Sequence, residues 1–222
     1  MRVLALDSAT GACSVAVTDA GRVLARRDAV QDRGQAEILM PMVEAALAEA
    51  GIGYDGLDRL AVTVGPGTFT GLRIALAAAR GLALATARPL VGITTFEALA
   101  AAVPEALRPG RTLVVAVDSR RAEPYVQAFG TGLAPLGPPA MELPGQVVLP
   151  GGPLLLAGDG VALLAPALEG RDVAAVEAVR HPDAAVIARL AETRDAPTAP
   201  PAPFYLRSPD VTLPRPPGPR AP

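Results

Sequence analysis

The sequence contains no lysine and no tryptophan, and its 222 residues include one cysteine and one histidine. The single cysteine, Cys13, excludes a disulfide within the chain and a zinc site built from cysteine ligands. The single histidine, His181, excludes a two-histidine metal site, and we expect it to cap a helix or lie on the surface. Without lysine the chain cannot carry a Walker-type phosphate loop, which ends in lysine followed by serine or threonine.

Charge and aromatic content argue against a free-standing nucleic-acid binder. All twenty basic residues are arginine, the net charge is −2, and aromatic residues make up 3% of the chain. Proteins that bind RNA directly usually offer a basic face or aromatic side chains on which bases stack. The arginines show no obvious cluster along this sequence, so we expect any contact with tRNA to be indirect, through a partner.

Length and hydropathy predict a globular protein. Half of the 222 residues are apolar, which is enough for one domain or two closely joined lobes with a real core. Asp7 interrupts the first apolar run where a signal peptide would need unbroken apolar sequence. The best candidate for a membrane span, residues 74–87, contains Arg80. We therefore expect a cytoplasmic protein with no membrane association.

Residues 62–73, VTVGPGTFTGLR, form the most distinctive motif of the chain. A short β-branched strand stops at Gly65-Pro66-Gly67, because proline lacks a donor and glycine adopts angles closed to other residues. Thr68 occupies the N-cap position of a predicted helix over residues 69–87. A strand, a glycine turn and a helix N-terminus can bind an anion, but the motif also fits a plain tight turn. We favour the plain tight turn.

The chain contains an internal repeat. Residues 4–21 align without a gap with residues 115–132, so that Asp7 corresponds to Asp118 and Ser8 to Ser119. Each copy reads as an apolar strand ending in Asp-Ser, a turn and a second apolar strand. This pattern predicts two duplicated lobes with Asp7 and Asp118 facing one cleft, although two unrelated hairpins can also look alike. The aspartates fit either a water-mediated Mg²⁺ site or polar caps of turns.

A nucleotide cleft is the candidate site that follows from this repeat. It would be lined by Asp7, Ser8, Thr10, Gly65, Gly67, Asp118, Gly158 and Asp159. We predict no catalytic residue and no metal site in the chain, because no triad or ligand cluster is evident. Cys13 lies in a predicted strand and is expected to fill core space.

Two predicted helices have too few polar residues to be exposed to solvent on all sides. Gln35–Ala50 has Glu37 and Glu44 seven residues apart, and the helix over 69–87 has Arg73 and Arg80 at the same spacing. A helix that is apolar nearly all round is buried on more than one side, either in its own core or against another chain. We favour a contact with another chain, through Ile38, Leu39, Met42, Val43, Ala46, Leu72, Ala75, Ala78, Ala79 and Leu82.

The predicted organisation has three parts. Residues 1–104 form an N-terminal lobe that carries both apolar helices, and residues 105–195 form a C-terminal lobe. Residues 196–222 form a proline-rich tail, in which Phe204, Tyr205 and Leu206 are the one apolar spot able to dock onto the body.

Several segments together resemble the TsaB (YeaZ) family. These are VLALDSATGACSVAV, AEILMPMVEAAL, VGPGTFTGLRIALAAARGLAL, VGITTFEALA, VDSRRAEPYVQAF and FYLR, which follow in order from residue 3 to about residue 207. The resemblance implies an α/β fold of the actin-like, Hsp70-like ATPase superfamily, with a ribonuclease H-like motif in each of two lobes. This expectation agrees with the internal repeat.

The same resemblance implies a function. TsaB proteins are non-catalytic partners of TsaD in making threonylcarbamoyladenosine next to the tRNA anticodon, together with TsaE. It implies that the helices over 35–50 and 69–87 bind TsaD, or a second copy in a homodimer, and that the protein is not an enzyme. No cofactor is required, although ATP or ADP at the complex interface is compatible. The family often has HAE or HSE before the first helix, where this chain has Gln35-Ala36-Glu37.

Two enzymatic alternatives remain at this point. The first is an ATP-dependent phosphotransferase or ATPase of the same superfamily, with Asp7 and Asp118 around Mg²⁺ and residues 158–160 near the adenosine. The second is a peptidase, which the missing histidine pair and the absence of an evident triad disfavour.

Overall fold

The computed structural model describes residues 1–206, which form two five-stranded mixed sheets with helices packed against them. The first sheet contains β1 (Arg2–Asp7), β2 (Ala12–Asp19), β3 (Arg22–Val30), β4 (Arg59–Gly65) and β5 (Leu90–Thr94). The second contains β6 (Thr112–Val117), β7 (Tyr125–Phe129), β8 (Ala140–Met141), β9 (Leu154–Ala157) and β10 (Val173–Ala175). The helices are α1 (Gln35–Ala50), α2 (Phe69–Thr86), α3 (Thr95–Ala102), α4 (Val161–Leu164) and α5 (Ala184–Glu192).

The two sheets have the same topology. The strand order is β3-β2-β1-β4-β5 in the first sheet, and read from the other edge it is β8-β7-β6-β9-β10 in the second. In both sheets the first three strands pair antiparallel, while the first, fourth and fifth pair parallel. This is the ribonuclease H-like arrangement present twice, and the duplicated α/β fold predicted from the internal repeat is confirmed.

Both faces of the first sheet are covered by helices. Along β1, Leu4 and Leu6 belong to the core under α1 and α2, whereas Val3 and Ala5 belong to the core under α5. All four side chains are fully buried, as expected when successive residues of a strand point to opposite covered faces. We refer to α1 and α2, which lie side by side on one face, as the helix layer.

Helix α5 packs on the first sheet although it lies in the predicted C-terminal lobe. Ala184, Ile187, Ala188 and Ala191 share a core cluster with residues of β1, β2, β4 and β5. Glu192, at its end, accepts hydrogen bonds from the Thr18 hydroxyl (3.2 Å) and the Gly21 amide (3.0 Å). The chain therefore returns to its first sheet near its end, and the lobe boundaries drawn along the sequence stay a prediction.

The helices of the helix layer run parallel to each other. Both begin at the turn of residues 8–11: the Gln35 side-chain amide donates to Thr10 O (2.8 Å), and the Thr68 backbone amide donates to Ala9 O (2.7 Å). The loops that follow both helices return to the opposite end of the sheet, where β1 and β4 begin.

By length and composition alone, α2 is long and apolar enough to cross a membrane, with a mean hydropathy of 1.2. One such helix is weak evidence, because helices that cover a sheet in globular proteins meet the same criterion. Here Leu72, Ala75, Leu76 and Ala79 of α2 are buried against the sheet.

The end of the described chain docks onto the body of the protein, as expected. The Phe204 amide donates to Val64 O (2.7 Å), and its side chain packs on the core under the helix layer. Tyr205 stacks on Phe69 with ring centroids 5.8 Å apart. Leu206 contacts the core of the second sheet. The predicted docking of this apolar spot is confirmed, whereas residues 207–222 of the proline-rich tail lie outside the described residues.

Candidate functional site

The loops that follow β1, β6 and β9 meet His181 between the two sheets, and we call this place the inter-sheet junction. Thr10, after β1, approaches His181 with Oγ1 and Nδ1 3.0 Å apart. Arg120, after β6, forms an ion pair with Asp32, which follows β3. The junction thus joins the first sheet to the second through polar contacts.

Asp7 is the most deeply buried acid of the junction. It ends β1, is fully buried, and its Oδ1 accepts hydrogen bonds from the Thr63 hydroxyl and the Ala9 amide. Within residues 1–206 its Oδ2 has no hydrogen-bond partner. Burial, with a further contribution from the charge of Asp159, raises the pKa of Asp7 to about 7, against the two hydrogen bonds. With this pKa the Asp7 carboxyl is about half protonated at pH 7.

Asp118 and Asp159 are hydrogen-bonded to each other, and Asp118 is also hydrogen-bonded to Arg120. The Asp118 amide donates to Asp159 Oδ1 (2.9 Å), and the Arg120 amide donates to Asp118 Oδ1 (2.7 Å). Burial and the charge of Asp118 raise the pKa of Asp159 to about 6. Asp118 therefore acts as the cap of its own turn, which is the second of the two roles predicted for it. The charge that acts on Asp7 is that of Asp159.

His181 lies in the junction, which differs from the surface or helix-cap position expected from the sequence. Its Nδ1 faces both the Thr10 hydroxyl and Asp159 Oδ2, the latter at 4.0 Å. Burial lowers the pKa of His181, with contributions from Arg180 and Arg120 and an opposing one from Asp32. A relay from an acid through histidine to a hydroxyl needs both ring nitrogens. Because both neighbours lie on one nitrogen, this trio does not have the geometry of a hydrolase triad.

The junction has open space beside it. A cavity of about 540 Å³ is lined by Cys13, Ser14, Arg180, His181 and Arg189, among others. A second cavity of about 280 Å³ is lined by Gly158, Asp159, Val161 and Arg180, among others. Asp7, Ser8 and Thr10 line neither of these two cavities, and at most 2% of each residue is exposed. Of the residues predicted to form a nucleotide cleft, only Gly158 and Asp159 border one of these spaces.

The space beside Gly65 and Gly67 is occupied by the chain's own backbone. A Cβ on Gly67 would lie 2.2 Å from Ala9 O, and a Cβ on Gly65 would lie 2.6 Å from Phe204 O. Thr68 caps α2 as predicted, because its hydroxyl accepts from the Gly71 amide (3.1 Å). The tight-turn interpretation is therefore the one that the structure supports. Gly65 and Gly67 permit this close approach of protein, and their expected place in a nucleotide cleft stays a prediction.

Gln35 occupies the position at which the family that this chain resembles often has histidine. Its side chain is 6% exposed, and Nε2 donates to Thr10 O (2.8 Å) and Ala12 O (3.4 Å). The amide thus ties the start of α1 to the turn that carries Thr10. In its present position Gln35 has a structural role.

Metal ligands and the cysteine give no further site. Among residues 1–206 no group of three or more His, Cys, Asp or Glu side chains is placed to hold a metal ion. Cys13 is fully buried, and burial raises its pKa to about 11. The predicted packing role of Cys13 is confirmed.

The predicted partner contacts of the helix layer need a correction. Six of the ten are at most 1% exposed, because they form the core beneath the helices: Leu39, Val43, Ala46, Leu72, Ala75 and Ala79. The other four are half-buried between the helices and the core: Ile38, Met42, Ala78 and Leu82. Helical periodicity identified the apolar faces of α1 and α2, but it did not show which of them the sheet covers.

The outer face of the helix layer carries exposed charged side chains, and most of its exposed apolar residues are small. These apolar residues are Ala36, Pro41, Ala45, Ala48, Phe69, Ala77, Gly81, Leu84 and Ala85. Leu84 is 87% exposed. Such a surface is typical of a protein–protein contact.

Comparisons with known proteins show which family the chain resembles in sequence. The family model described as TsaD, tRNA N6-adenosine threonylcarbamoyltransferase, matches residues 22–194. The tRNA threonylcarbamoyladenosine biosynthesis protein TsaB of Escherichia coli is 38% identical over 126 residues, which are 56% of this chain and 53% of that protein. The chain therefore spans about half the length of this curated relative.

Two solved structures from Pseudomonas aeruginosa match nearly the whole chain. One is described as an uncharacterized protein with similarity to peptidase YEAZ; it has a TM-score of 0.79 and 31% identity, covering 93% of this chain and 99% of that one. The other is YeaZ, with a TM-score of 0.74 and 31% identity, covering 86% of this chain and 92% of that one. The fold is that of the actin-like, Hsp70-like ATPase superfamily.

Proposed function

We propose that this chain, which belongs to the TsaB (YeaZ) family, takes part in the biosynthesis of threonylcarbamoyladenosine in tRNA as a docking subunit without chemistry of its own. The observation that carries this proposal is the outer face of the helix layer. It is exposed and rich in alanine, and it includes Leu84 and Gly81. An uncovered apolar helix face of this kind is suited to packing against helices of another chain.

The inter-sheet junction supports a non-catalytic role. Its acids are bound by backbone amides, by Thr63 or by Arg120, and Asp7 has a pKa of about 7. Thr10 and His181 contact each other without the geometry of a triad. The acids, the histidine and the hydroxyl of the junction are thus engaged in contacts within the protein.

The partner that fits this proposal best is TsaD. The family model that matches residues 22–194 describes the transferase, so a TsaD subunit is expected to share the fold of this chain. Two chains of one fold can pair through equivalent helix layers, as the two halves of a symmetric dimer do. The proposal includes TsaE as a further subunit recruited to the pair, contact with tRNA only through TsaD, a cytoplasmic location and no required cofactor.

Co-purification tests the proposal directly. The chain is co-expressed with tagged TsaD of the same organism, and Ala77→Arg and Ala48→Arg are compared with the wild type. Both positions are exposed on the helix layer, so the isolated variants are expected to stay folded but to lose TsaD. Ala106→Arg, exposed near the second sheet, is the matched control and is expected to retain it.

Unchanged capture of TsaD by both layer variants would contradict docking through this face. The pathway itself is tested by depletion of the chain in its native host. The level of threonylcarbamoyladenosine in bulk tRNA is expected to fall, and to recover with the wild type but not with Ala77→Arg.

A further inference from the structure

A groove lies between the last turns of α2 and the proline-rich segment that leads to Phe204. We call residues 195–204 the strap, and the space behind them the strap groove. The groove has a volume of about 670 Å³, which is within the range of small-molecule binding sites. Its side chains include Arg80, Leu84, Arg88, Leu90, Pro197 and Pro200. Because Leu90 is the first residue of β5, the groove lies at the end of the first sheet opposite to the inter-sheet junction.

The strap is anchored at both of its ends. Just before it, Arg194 Nη1 donates to Gly92 O (3.1 Å), and at its end the Phe204 amide donates to Val64 O (2.7 Å). Between these anchors, residues 195–200 make no hydrogen bond to any part of the described chain. The outer wall of the groove is therefore held in place from its ends, and its middle is free to adjust to a bound molecule.

The walls of the groove are mainly apolar. Leu84, on α2, is 87% exposed, whereas Leu90 is 5% exposed. On the strap side, Pro197 and Pro200 have no backbone N–H to offer. A ligand in the groove would cover the exposed leucine and would contact these walls through apolar atoms, which is favourable in proportion to the area removed from water.

The charged side chains of the groove are two arginines, and no acid lines it. Arg80 Nη2 donates to Pro201 O (2.6 Å), and Arg88 Nη2 donates to Asp55 O (2.9 Å). A guanidinium has five N–H groups, so most of these donors are not used by the described chain. Within residues 1–206 neither arginine forms an ion pair, and Arg88 Nε is buried without an acceptor.

The end of α2 neutralises only part of this positive charge. The helix ends at Thr86, between the two arginines in sequence. The C-terminal carbonyl groups of a helix are equivalent to about half a negative charge, which is less than the two full charges of Arg80 and Arg88. The excess charge is positive and favours an anion, and two guanidinium groups are well suited to a carboxylate or a phosphate.

We propose that the strap groove binds a small aliphatic anion. Its carboxylate or phosphate group contacts Arg80 and Arg88, and its hydrocarbon chain lies against Leu84, Leu90 and the prolines of the strap. This site is separate from the inter-sheet junction, and the inference does not depend on the docking role proposed above.

Titration of the full chain followed by amide chemical shifts tests the site. The probes are hexanoate, octanoate, octyl phosphate and octanol, each below its micelle concentration. Octanoate and octyl phosphate are expected to saturate and to shift the amides of Leu84, Leu90 and Ala199, but not that of Thr10. Hexanoate is expected to bind more weakly than octanoate, by up to about fourfold for each methylene that is lost. Octanol lacks the charge and is expected to bind roughly 10-fold more weakly than octanoate.

Variants of the two arginines separate charge recognition from unspecific apolar binding. Arg80→Gln/Arg88→Gln is expected to weaken octanoate roughly 10-fold and to leave octanol unchanged, because only the anion uses the guanidinium groups. Arg80→Lys/Arg88→Lys keeps both charges and is expected to recover part of the affinity. The matched control is Arg22→Gln/Arg33→Gln, which removes the same charge at exposed positions that do not line the groove. It is expected to bind octanoate like the wild type.

The apolar wall has its own pair of variants. Leu84→Ser is expected to weaken octanoate by roughly 3- to 10-fold, since part of the hydrocarbon contact is lost. Leu136→Ser changes another exposed leucine, near the second sheet, and is expected to have no effect. Thermal unfolding of each variant shows whether it is folded before it is titrated.

The proposal would be overturned if neither octanoate nor octyl phosphate produced saturable shifts up to about 10 mM, ten times a millimolar dissociation constant. Equal affinity for octanoate and octanol would overturn it as well, as would unchanged octanoate binding by folded Arg80→Gln/Arg88→Gln. Shifts centred on Thr10 and His181 would place the ligand in the junction and would also refute the strap groove. None of these results bears on capture of TsaD, which tests the docking role separately.

Discussion

Thr10 and His181 are 171 residues apart in the sequence, and they meet with Oγ1 and Nδ1 at 3.0 Å. Thr10 lies in the turn after β1, and His181 lies just before α5. The turn that carries Thr10 also contacts the first residues of both helices of the helix layer, through Gln35 and Thr68. A single turn therefore links the proposed docking face to the inter-sheet junction.

The contact between Thr10 and His181 is expected to contribute measurably to stability. Thr10→Val keeps the shape of the side chain and removes the hydroxyl, and His181→Ala removes the ring. In a double-mutant cycle from urea unfolding, we expect a coupling free energy of about 0.5–1.5 kcal/mol. Thr131→Val, at an exposed position, is expected to be additive with His181→Ala. A coupling close to zero for Thr10 would contradict the hydrogen bond.

Asp7 is expected to make stability fall as the pH rises. Its pKa is raised from 3.8 to about 7 on folding, so between these values the folded state keeps a proton that the unfolded state has released. The free energy of unfolding therefore decreases with pH in this window, by at most about 1.4 kcal/mol per pH unit. Asp159, whose pKa is raised to about 6, acts in the same direction between about 4 and about 6.

The variant Asp7→Asn isolates this effect. The amide stays neutral and can still accept from Thr63 and Ala9, so the gain in stability over the wild type is expected to grow from about pH 4 to about pH 7 and then level off. Urea unfolding at several pH values measures the difference. Glu169→Gln, an exposed control, is expected to show no such trend. A constant difference for Asp7→Asn would show that Asp7 is ionised in the folded state.

Gln35 is expected to be needed as a hydrogen-bond donor. Gln35→Ala leaves the buried Thr10 carbonyl without its side-chain donor and is expected to cost about 1–3 kcal/mol. Gln35→Glu should cost more, because a carboxylate would face carbonyl oxygens. Gln35→His restores an N–H group and is expected to recover part of the loss. Thermal unfolding ranks the three variants, and equal stability of Gln35→Ala and the wild type would refute this role.

Two glycines of α2 are expected to respond to alanine in opposite directions. A Cβ on Gly71 would lie 2.0 Å from Ser8 O, so Gly71→Ala should destabilise the chain by more than about 2 kcal/mol. Gly81 has open space, and Gly81→Ala should stabilise the isolated monomer by about 0.5–1 kcal/mol. Chemical unfolding at low protein concentration compares the two. Tolerance of Gly71→Ala would contradict the close packing of the glycine motif.

Local patterns predicted most of the regular structure. Helix α1 has the predicted bounds, and α2 ends one residue earlier than expected, at Thr86. The glycine motif with its Thr68 cap is a short-range signal, and it gave the correct local geometry. The internal repeat correctly predicted two sheets of one topology. These features depend on residues close together in the sequence, which is why periodicity and turn chemistry suffice for them.

Contacts between distant segments could not be predicted in this way. Nothing around His181 indicates that it meets Thr10, and nothing around Asp159 indicates that its charge acts on Asp7. The buried and exposed sides of α1 and α2 depend on where the sheet lies, so the apolar residues chosen as partner contacts proved to be buried or half-buried. Strands β8 and β10 have only two and three residues, too few for a periodic signal.

The position of α5 has a consequence for synthesis of the chain on the ribosome. One face of the first sheet lacks most of its cover until residues 184–192 have emerged, because α5 supplies most of that layer and α3 adds Ala98. The nascent chain therefore exposes part of this hydrophobic sheet face until α5 has emerged. A message truncated before this helix would release a product suited to chaperone capture and proteolysis.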